Sequence, residues 1–182
     1  AVAFIPTAII GFVLYKLIKH YLLGNALVVI VSLFVGGVFI IIFEKFYKPK
    51  KEVLEDIAKI SYFQAALIGV CQSLAVVPGV SRSAATILGG LMMGISRRSI
   101  VEFSFLLAVP TMLAATILDI LKTEADLNPS EWGLLAVGFI VAYIVAWLSV
   151  KFLLYYIQRH NFTAFGIYRI IAAIVFAVIL YH

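Results

Sequence analysis

The stretch VVPGVSRSAATILGG, residues 76–90, contains the side chains of this sequence that are best suited to chemistry. Arg82 lies between Ser81 and Ser83, and Thr86 follows about one helical turn later. A guanidinium group offers N–H donors in a planar fork that fits a phosphate or a carboxylate. Hydroxyl groups and the free N–H groups at a helix start can donate to the same anion. The stretch therefore predicts an anion-binding site.

Apolar sequence flanks Arg82 on both sides, which predicts that this charge lies at membrane depth. A charged side chain at the bilayer centre costs about 2.5–3.5 kcal/mol or more, so it is rare and commonly functional. Pro78 and Gly79 end one helix, and the next helix is predicted to begin near 81–83, with its positive dipole end in the break. We favour an anion site over the alternative, in which Arg82 pairs with a buried carboxylate and only fixes helix packing.

Gly79, Ser83 and Gln72 are further candidate contacts for the anion. Gln72 precedes the break, and its amide either donates into the pocket or simply packs; the sequence leaves both open. Cys71 is interpreted as a small apolar filler rather than a reactive thiol. Because it is the single cysteine, an internal disulfide and a CxxC metal site are excluded.

Other polar residues within apolar segments show less chemical promise. Glu102 is expected to form a local ion pair with Arg97 or Arg98. Asp119 is interpreted as a solvated residue near a helix end. Arg169 is expected to snorkel to the interface or to pair with Glu102, rather than to contact a substrate. Four glycines are interpreted as helix-packing residues: Gly36, Gly37, Gly90 and Gly94. Three histidines are interpreted as interfacial and lack metal-ligand spacing: His20, His160 and His182.

The composition requires a membrane environment for these residues. The 182-residue chain is 64% hydrophobic and 13% charged, whereas soluble domains are roughly 45–50% apolar and about 25% charged. This predicts an all-α integral membrane protein, a polytopic helix bundle forming one membrane domain over 1–182. The net charge of +5 does not indicate nucleic-acid binding, because basic residues of membrane proteins gather in cytoplasmic loops.

A spanning helix needs roughly 20 mostly apolar residues. The predicted spans are 25–43, 100–121, 132–157 and 162–181, and 1–15 is predicted to be the rest of a span whose start has been cut off. The polar run 44–59 is predicted to be a solvated loop leading into a short surface helix. Residues 84–95 rise only about 18 Å as a helix, too little for a core of roughly 30 Å. We therefore predict that residues 61–95 form a re-entrant helix hairpin, whose tip is buried in protein or reached by water.

The distribution of basic residues supports this topology. If the hairpin returns to its own side, one face carries three basic residues and the other carries nine, as the positive-inside rule requires of the cytoplasmic face. The three are Lys16, Lys19 and Lys122, and the nine are Lys45, Lys48, Lys50, Lys51, Lys59, Arg97, Arg98, Lys151 and Arg159. The acidic turn 122–131 then lies outside.

Three segments resemble a known family. PGVSRSAAT is similar to the PGxSRSxxT signature of the undecaprenyl-diphosphatase family, the bacitracin-resistance type of membrane phosphatase. EFSFLLAVPTMLAAT, residues 102–116, resembles the segment that follows the signature in that family, and FGIYRIIAA resembles its C-terminal part. The resemblance covers essentially the whole chain.

The resemblance implies an enzyme that removes the terminal phosphate of undecaprenyl diphosphate and so recycles the lipid carrier of cell-wall synthesis. By motif position, Ser81, Arg82 and Thr86 would bind the diphosphate. The family also implies inverted repeats with a hairpin each, a divalent cation (Mg²⁺ or Ca²⁺) and a bacterial inner membrane. The expected partners are a polyprenyl diphosphate and the lipid bilayer, and a homodimer is left open.

The sequence departs from the family at its first motif, a glutamate-rich stretch ending in Ser-Ser-Thr-Gly-His, which this chain lacks. The nucleophilic serine, acidic residues and histidine of the family are expected there. The chain is therefore expected to be a fragment that is inactive alone. An alternative function is a transporter or flippase for an anionic lipid, because the same hairpin would suit transport; a membrane subunit that only packs against partners is a third.

Overall fold

The computed structural model describes residues 2–14, 18–22, 24–48, 53–122 and 129–181. These residues contain the α-helices α1 (Phe4–Val13), α2 (Ala26–Phe46), α3 (Tyr62–Ser73), α4 (Arg82–Met92), α5 (Arg97–Lys122), α6 (Pro129–Ile157) and α7 (Thr163–Tyr181). Shorter helical turns are Ile18–Leu22, Ile57–Lys59 and Leu74–Val76. In the described ranges, extended pairing is limited to one isolated bridge.

Among the described residues, four helices are long and apolar enough to cross a membrane: Ala26–Phe46, Arg97–Ile117, Trp132–Ile157 and Thr163–Leu180. They coincide with four of the predicted spans, and the all-α polytopic fold is confirmed. The described side chains of α6 are exposed along almost the whole helix. Since they are almost all apolar, α6 is the helix most suited to contact lipid.

The first predicted span, 1–15, is shorter in the structure. Helix α1 has 10 residues and therefore covers about 15 Å, half of a typical bilayer core. It lies closely along α3, because a Cβ at Gly69 would collide with the carbonyl oxygen of Ala3. The Thr7 hydroxyl donates to the Gly69 carbonyl at 2.9 Å. Helix α1 thus packs against the first helix of the hairpin.

Helices α3 and α4 form the predicted hairpin. Helix α3 begins with a capping box, in which Ser61 and Gln64 satisfy each other's backbone N–H. Helix α4 ends at Met92, and Gly94 follows the C-cap with a φ of +83°. The hydrogen bonds from Gly94 N to Leu91 O and from Ile95 N to Gly90 O form a Schellman motif. The assignment of Gly94 to helix packing is therefore wrong, because Gly94 turns the chain out of the helix.

The two ends of the hairpin meet at its base. Leu54 donates its N–H to the Gly94 carbonyl and accepts one from Ser96, both at 2.9 Å. The Ser99 hydroxyl donates to the Glu55 carbonyl. The chain therefore leaves the hairpin beside the point at which it entered. The depth of the hairpin in a bilayer, and the inverted repeat, stay predictions.

Glycines bring the remaining helices together, as predicted. A Cβ at Gly37 would lie 2.7 Å from the Gly166 carbonyl oxygen, so α2 and α7 pack backbone to backbone. A Cβ at Gly36 would lie 2.5 Å from the Arg169 side chain, and one at Gly90 would collide with the Ile100 side chain. These three contacts confirm the packing role of Gly36, Gly37 and Gly90.

The ends of α2, α5 and α7 converge on what we call the Arg97–Glu44 cluster, formed by Arg97, Glu44, Tyr47 and Phe162. Arg97 pairs with both carboxylate oxygens of Glu44, with Nη2 2.6 Å from Oε2. The Phe162 N–H donates to Oε1 at 3.1 Å, and the guanidinium lies 5.5 Å from the centroids of the Tyr47 and Phe162 rings. The Glu44 side chain is only 2% exposed, so its placement in a solvated loop is wrong: it ends α2 and is buried by Arg97.

Candidate anion-binding site

The break between α3 and α4 is a tight turn over 77–80. Val80 donates its N–H to the Val77 carbonyl at 3.1 Å, and Gly79 has φ +90°. Proline at the second position and a left-handed glycine at the third are the signature of a type II turn. The turn packs on α2, because a Cβ at Gly79 would lie 2.6 Å from the Val29 carbonyl oxygen. Both φ and space therefore require glycine here.

The start of α4 exposes unpaired donors at this turn. Ser81 caps the helix, and its hydroxyl oxygen accepts the Ala84 N–H at 3.2 Å. The Ser81 carbonyl accepts the Ala85 N–H at 3.0 Å. Within the described part of the chain, the amides of Arg82 and Ser83 have no hydrogen-bond partner. The predicted helix start is confirmed, and two N–H groups at the positive dipole end are free for an anion.

Arg82, the first residue of α4, is half-buried and reaches α5. Its Nη1 donates to the Thr111 hydroxyl at 2.9 Å, and its Nη2 lies 3.8 Å from the Met112 sulfur. The Thr111 hydroxyl can donate to the carbonyls of Leu107 or Ala108, both at 2.9 Å, which leaves its oxygen to accept from Arg82. No carboxylate among the described residues forms a salt bridge with Arg82. The carboxylate alternative for Arg82 therefore has no support in this part of the chain.

Thr86 does not present its hydroxyl to the break as expected. The residue is 0% exposed, and its Oγ1 lies 2.7 Å from the Ser104 Oγ on α5. The same oxygen lies 3.1 Å and 3.0 Å from the carbonyls of Arg82 and Ser83. The reason is geometric: a threonine four residues into a helix bonds back to the preceding turn. Thr86 joins α4 to α5, and direct contact with substrate stays a prediction.

Gln72 also differs from the expectation that it serves the anion. It is 2% exposed, and its amide nitrogen donates to the Thr7 hydroxyl on α1 at 3.1 Å. Its Oε1 is buried without a partner in the described part of the chain. Of the two readings left open, packing between α1 and α3 matches this geometry. Cys71 contacts the helix partner as a filler would: a Cβ at Gly89 would lie 2.8 Å from its Sγ.

Arg169 occupies a position that sequence reasoning missed. It is 9% exposed, and its Nη2 donates to the Gly79 carbonyl at 2.8 Å and to the Ser32 carbonyl at 3.2 Å. Its Nε is buried and has no partner among the described residues. The expectations that Arg169 snorkels or pairs with Glu102 are both wrong, because α7 packs its middle against α2 beside the turn.

The other candidate residues lie away from the break. Glu102 accepts a hydrogen bond from Arg98 Nε at 3.0 Å, which confirms a local ion pair. His160 stacks on Tyr156 and His20 is exposed, whereas His182 and the Asp119 side chain lie outside the described parts. Ser83 is half-buried at the start of α4.

The carboxylates described here do not fit a divalent cation. Such cations take several oxygen ligands, but Glu44 and Glu102 are already bound to arginines, and Asp56 caps the turn before α3. Among the described residues, no group of three His, Cys, Asp or Glu side chains could hold a metal. The cation implied by the resemblance therefore stays a prediction, and no step is assigned to it.

The sequence contained weak signals for the residues that were missed. Thr111 lies inside the apolar helix α5, where a hydroxyl can bond back to the preceding turn and still accept from a donor. Arg169 is the one charged residue of the C-terminal apolar segment 162–181. Its partners could not be read from the sequence, because they are backbone carbonyls of distant segments.

Comparison with known proteins agrees with this geometry. Residues 1–175 match the family described as bacitracin resistance protein BacA. The chain is 51% identical to the undecaprenyl-diphosphatase of Aquifex aeolicus, over 96% of this chain and 68% of that protein. It is 50% identical to that of Sulfurihydrogenibium sp. and 49% identical to that of Persephonella marina, with 96% of this chain covered in both cases. These matches show that the chain belongs to the BacA family.

Proposed function

We propose that this chain is the part of an undecaprenyl-diphosphatase that binds the lipid diphosphate. The reaction hydrolyses the terminal phosphoanhydride bond: water is added, and undecaprenyl phosphate and inorganic phosphate are formed. The product is the lipid carrier that cell-wall synthesis reuses. The observation that carries the proposal is the break between α3 and α4, where Arg82, two free amides and no described carboxylate are found together.

The chemistry explains why such a break is suitable. Phosphoryl transfer needs little covalent work from the protein but strong stabilisation of negative charge on the phosphate oxygens. The amides of Arg82 and Ser83 supply fixed donors at the positive end of α4, and the Arg82 guanidinium supplies a charged fork. Thr111 accepts from one arm of that fork and so orients it. These groups bind and orient the diphosphate.

The group that attacks phosphorus is not assigned to this part of the chain. The Ser81 oxygen is engaged as the helix cap of Ala84, and in the described residues neither Ser81 nor Ser83 has a histidine or carboxylate hydrogen-bonded to its hydroxyl. Without such a base, a serine hydroxyl is a weak nucleophile. We therefore expect the attacking group to come from outside the described residues.

Phosphate release from undecaprenyl diphosphate tests the proposal. The chain would first be assayed by itself in detergent. It would then be assayed after co-expression with the segment of the Aquifex aeolicus relative that lies outside the match. We expect release only from the co-expressed pair, with loss in Arg82→Ala and little change in Arg98→Ala, a matched control whose side chain is 67% exposed.

Three outcomes would contradict the proposal or part of it. No release from a folded pair would oppose the enzymatic function. Movement of the lipid diphosphate across the vesicle membrane without release of phosphate would favour a transporter. Release by the chain alone, above that of Ser81→Ala, would place the complete catalytic set in this chain.

We also propose that the hairpin is re-entrant and that the chain resides in a bacterial inner membrane, where its lipid substrate is found. In a Cys71→Ala background, cysteines at Glu55 and Arg98 should react with an impermeant thiol reagent from one side of oriented vesicles. A cysteine at Trp132 should react from the other side. Reaction at Glu55 and Arg98 from opposite sides would contradict the hairpin. Cross-linking of two labelled copies would test a homodimer.

A further inference from the structure

The break between α3 and α4 contacts three other helices, and one of these contacts comes from α7. Helix α4 contacts α5 through Arg82, whereas the turn before it contacts α2 through Gly79. Arg169 on α7 joins the turn to α2, because one nitrogen donates to the carbonyls of Gly79 and Ser32. The turn therefore depends on a residue that is distant in sequence.

The cost of placing Arg169 there indicates that it has a purpose. The residue is 9% exposed within a span that could cross a membrane, and its Nε lacks a partner in the described ranges. No salt bridge among the described residues compensates its charge. A buried arginine with incomplete hydrogen bonding destabilises the fold unless its position contributes elsewhere.

Gly36 makes room for this arrangement. A Cβ at that position would lie 2.5 Å from Arg169 Nη2 and 3.2 Å from Cζ. The α2 sequence thus has a glycine where the guanidinium rests. Gly36 on α2 leaves space for the guanidinium of Arg169 on α7, and this space allows Arg169 to reach the Gly79 carbonyl.

We infer that Arg169 is a positioning residue of the anion site: it holds the Gly79 carbonyl so that the turn aims the start of α4 and Arg82 at the phosphate. The inference rests on the proposed function but makes a separate claim about this side chain. Arg169 acts through Arg82 and is not assigned a contact with substrate.

Binding of farnesyl diphosphate to the folded chain in detergent provides the main test. A charged hydrogen bond is worth about 10- to 150-fold in affinity, so we expect Arg82→Ala to weaken binding by about that factor. Arg169→Met should weaken it by about tenfold, and the loss in the double variant should be smaller than the product of the two single losses. A residue that only stabilises the fold would give multiplied losses, because independent effects add in free energy.

Gly36→Ala tests the same contact without removing the charge, and it serves where Arg169→Met fails to fold. The new methyl group displaces the guanidinium from Gly79, so binding should weaken severalfold. Gly138→Ala is the matched control, since a Cβ at Gly138 meets nothing within 4 Å. Equal affinities of the two alanine variants would overturn the inference.

A readout without substrate separates this inference from the proposed function. In a Cys71→Ala background, the cysteine of Ser83→Cys reports the order of the α4 start through its rate of reaction with N-ethylmaleimide. We expect the rate to rise severalfold with Arg169→Met and to return toward normal with Arg169→Lys, which can still donate. An unchanged rate would overturn the inference even if the enzyme is a phosphatase, whereas a raised rate without lipid diphosphate binding would oppose the proposed function alone.

Discussion

Three arginines that are buried or half-buried have two different kinds of surroundings. In the Arg97–Glu44 cluster, the guanidinium pairs with both oxygens of a buried carboxylate and stacks between two aromatic rings. At the break, Arg82 and Arg169 donate only to a hydroxyl, a thioether and backbone carbonyls. A carboxylate cancels the charge of an arginine, and neutral acceptors do not. The first arginine is therefore committed to structure, and those at the break keep a positive potential for an anion.

The largest expected effect is the loss of the paired arginine. Arg97→Met leaves the Glu44 carboxylate buried with the Phe162 N–H as a remaining donor, and breaking a buried pair in this way costs about 3–5 kcal/mol. Thermal unfolding in detergent measures it. Because replacing both partners by apolar residues is often neutral, the double variant with Glu44→Met should recover most of the loss. An unchanged melting temperature in Arg97→Met would contradict the structural role of Arg97.

The second prediction concerns the shape of the unpaired arginine. Arg82→Lys keeps the charge but lacks the planar fork, so it should bind farnesyl diphosphate almost as poorly as Arg82→Ala, with a loss of about 1.5–3 kcal/mol. Its melting temperature should stay close to that of the parent, in contrast to Arg97→Met. Calorimetric titration measures the affinity. Normal binding by the lysine variant would show that the site needs only a positive charge at this position and not the planar fork.

Tyr47 provides a smaller test within the Arg97–Glu44 cluster. Its hydroxyl donates to the Leu91 carbonyl at 3.2 Å, and burial raises its pKa above 10.0. Tyr47→Phe should cost about 0.5–1.5 kcal/mol at neutral pH. Since the pKa is raised in the folded state, this contribution is full below pH 10 and falls as pH rises through the shifted pKa. Melting temperatures of both proteins at neutral and alkaline pH measure the difference, and equal values at neutral pH would oppose the hydrogen bond.

The smallest effect should come from the exposed pair. Arg98 and Glu102 are one helical turn apart, and their side chains are 67% and 31% exposed. Such pairs contribute about 0.3–0.5 kcal/mol, so Glu102→Gln should barely change the melting temperature or farnesyl diphosphate binding. A large loss of binding, with normal stability, would move Glu102 into the site and weaken the comparison.

The sequence was informative where one segment determines its own structure. The four long spans, the Pro-Gly turn and the start of α4 all follow from local patterns, and the structure confirms them. The positions of Thr86 and Gln72 depended instead on which helix lies beside them. Ser104 and Thr7 offered closer partners than the break. Sequence periodicity does not specify such neighbours.

Arg169 shows the same limit more clearly. Its charge within an apolar segment was visible, but a carboxylate was the partner that electrostatics alone would choose. The acceptors are carbonyls of Gly79 and Ser32, which any sequence supplies and which only the packing of α2 on α7 brings within reach. Because every residue has a carbonyl, the side-chain types in a sequence do not indicate which carbonyls will accept such hydrogen bonds.

The contact between Arg169 and Gly79 also has a consequence for biosynthesis. The turn is synthesised before α7, which carries the side chain that fixes it. We therefore expect nascent chains that end before Thr163 to have a loose break, open to thiol reagents at a Ser83→Cys position. Protection should arise only when α7 has entered the membrane and packed against α2. The hairpin would then be synthesised before α7 but become ordered only after α7 has packed.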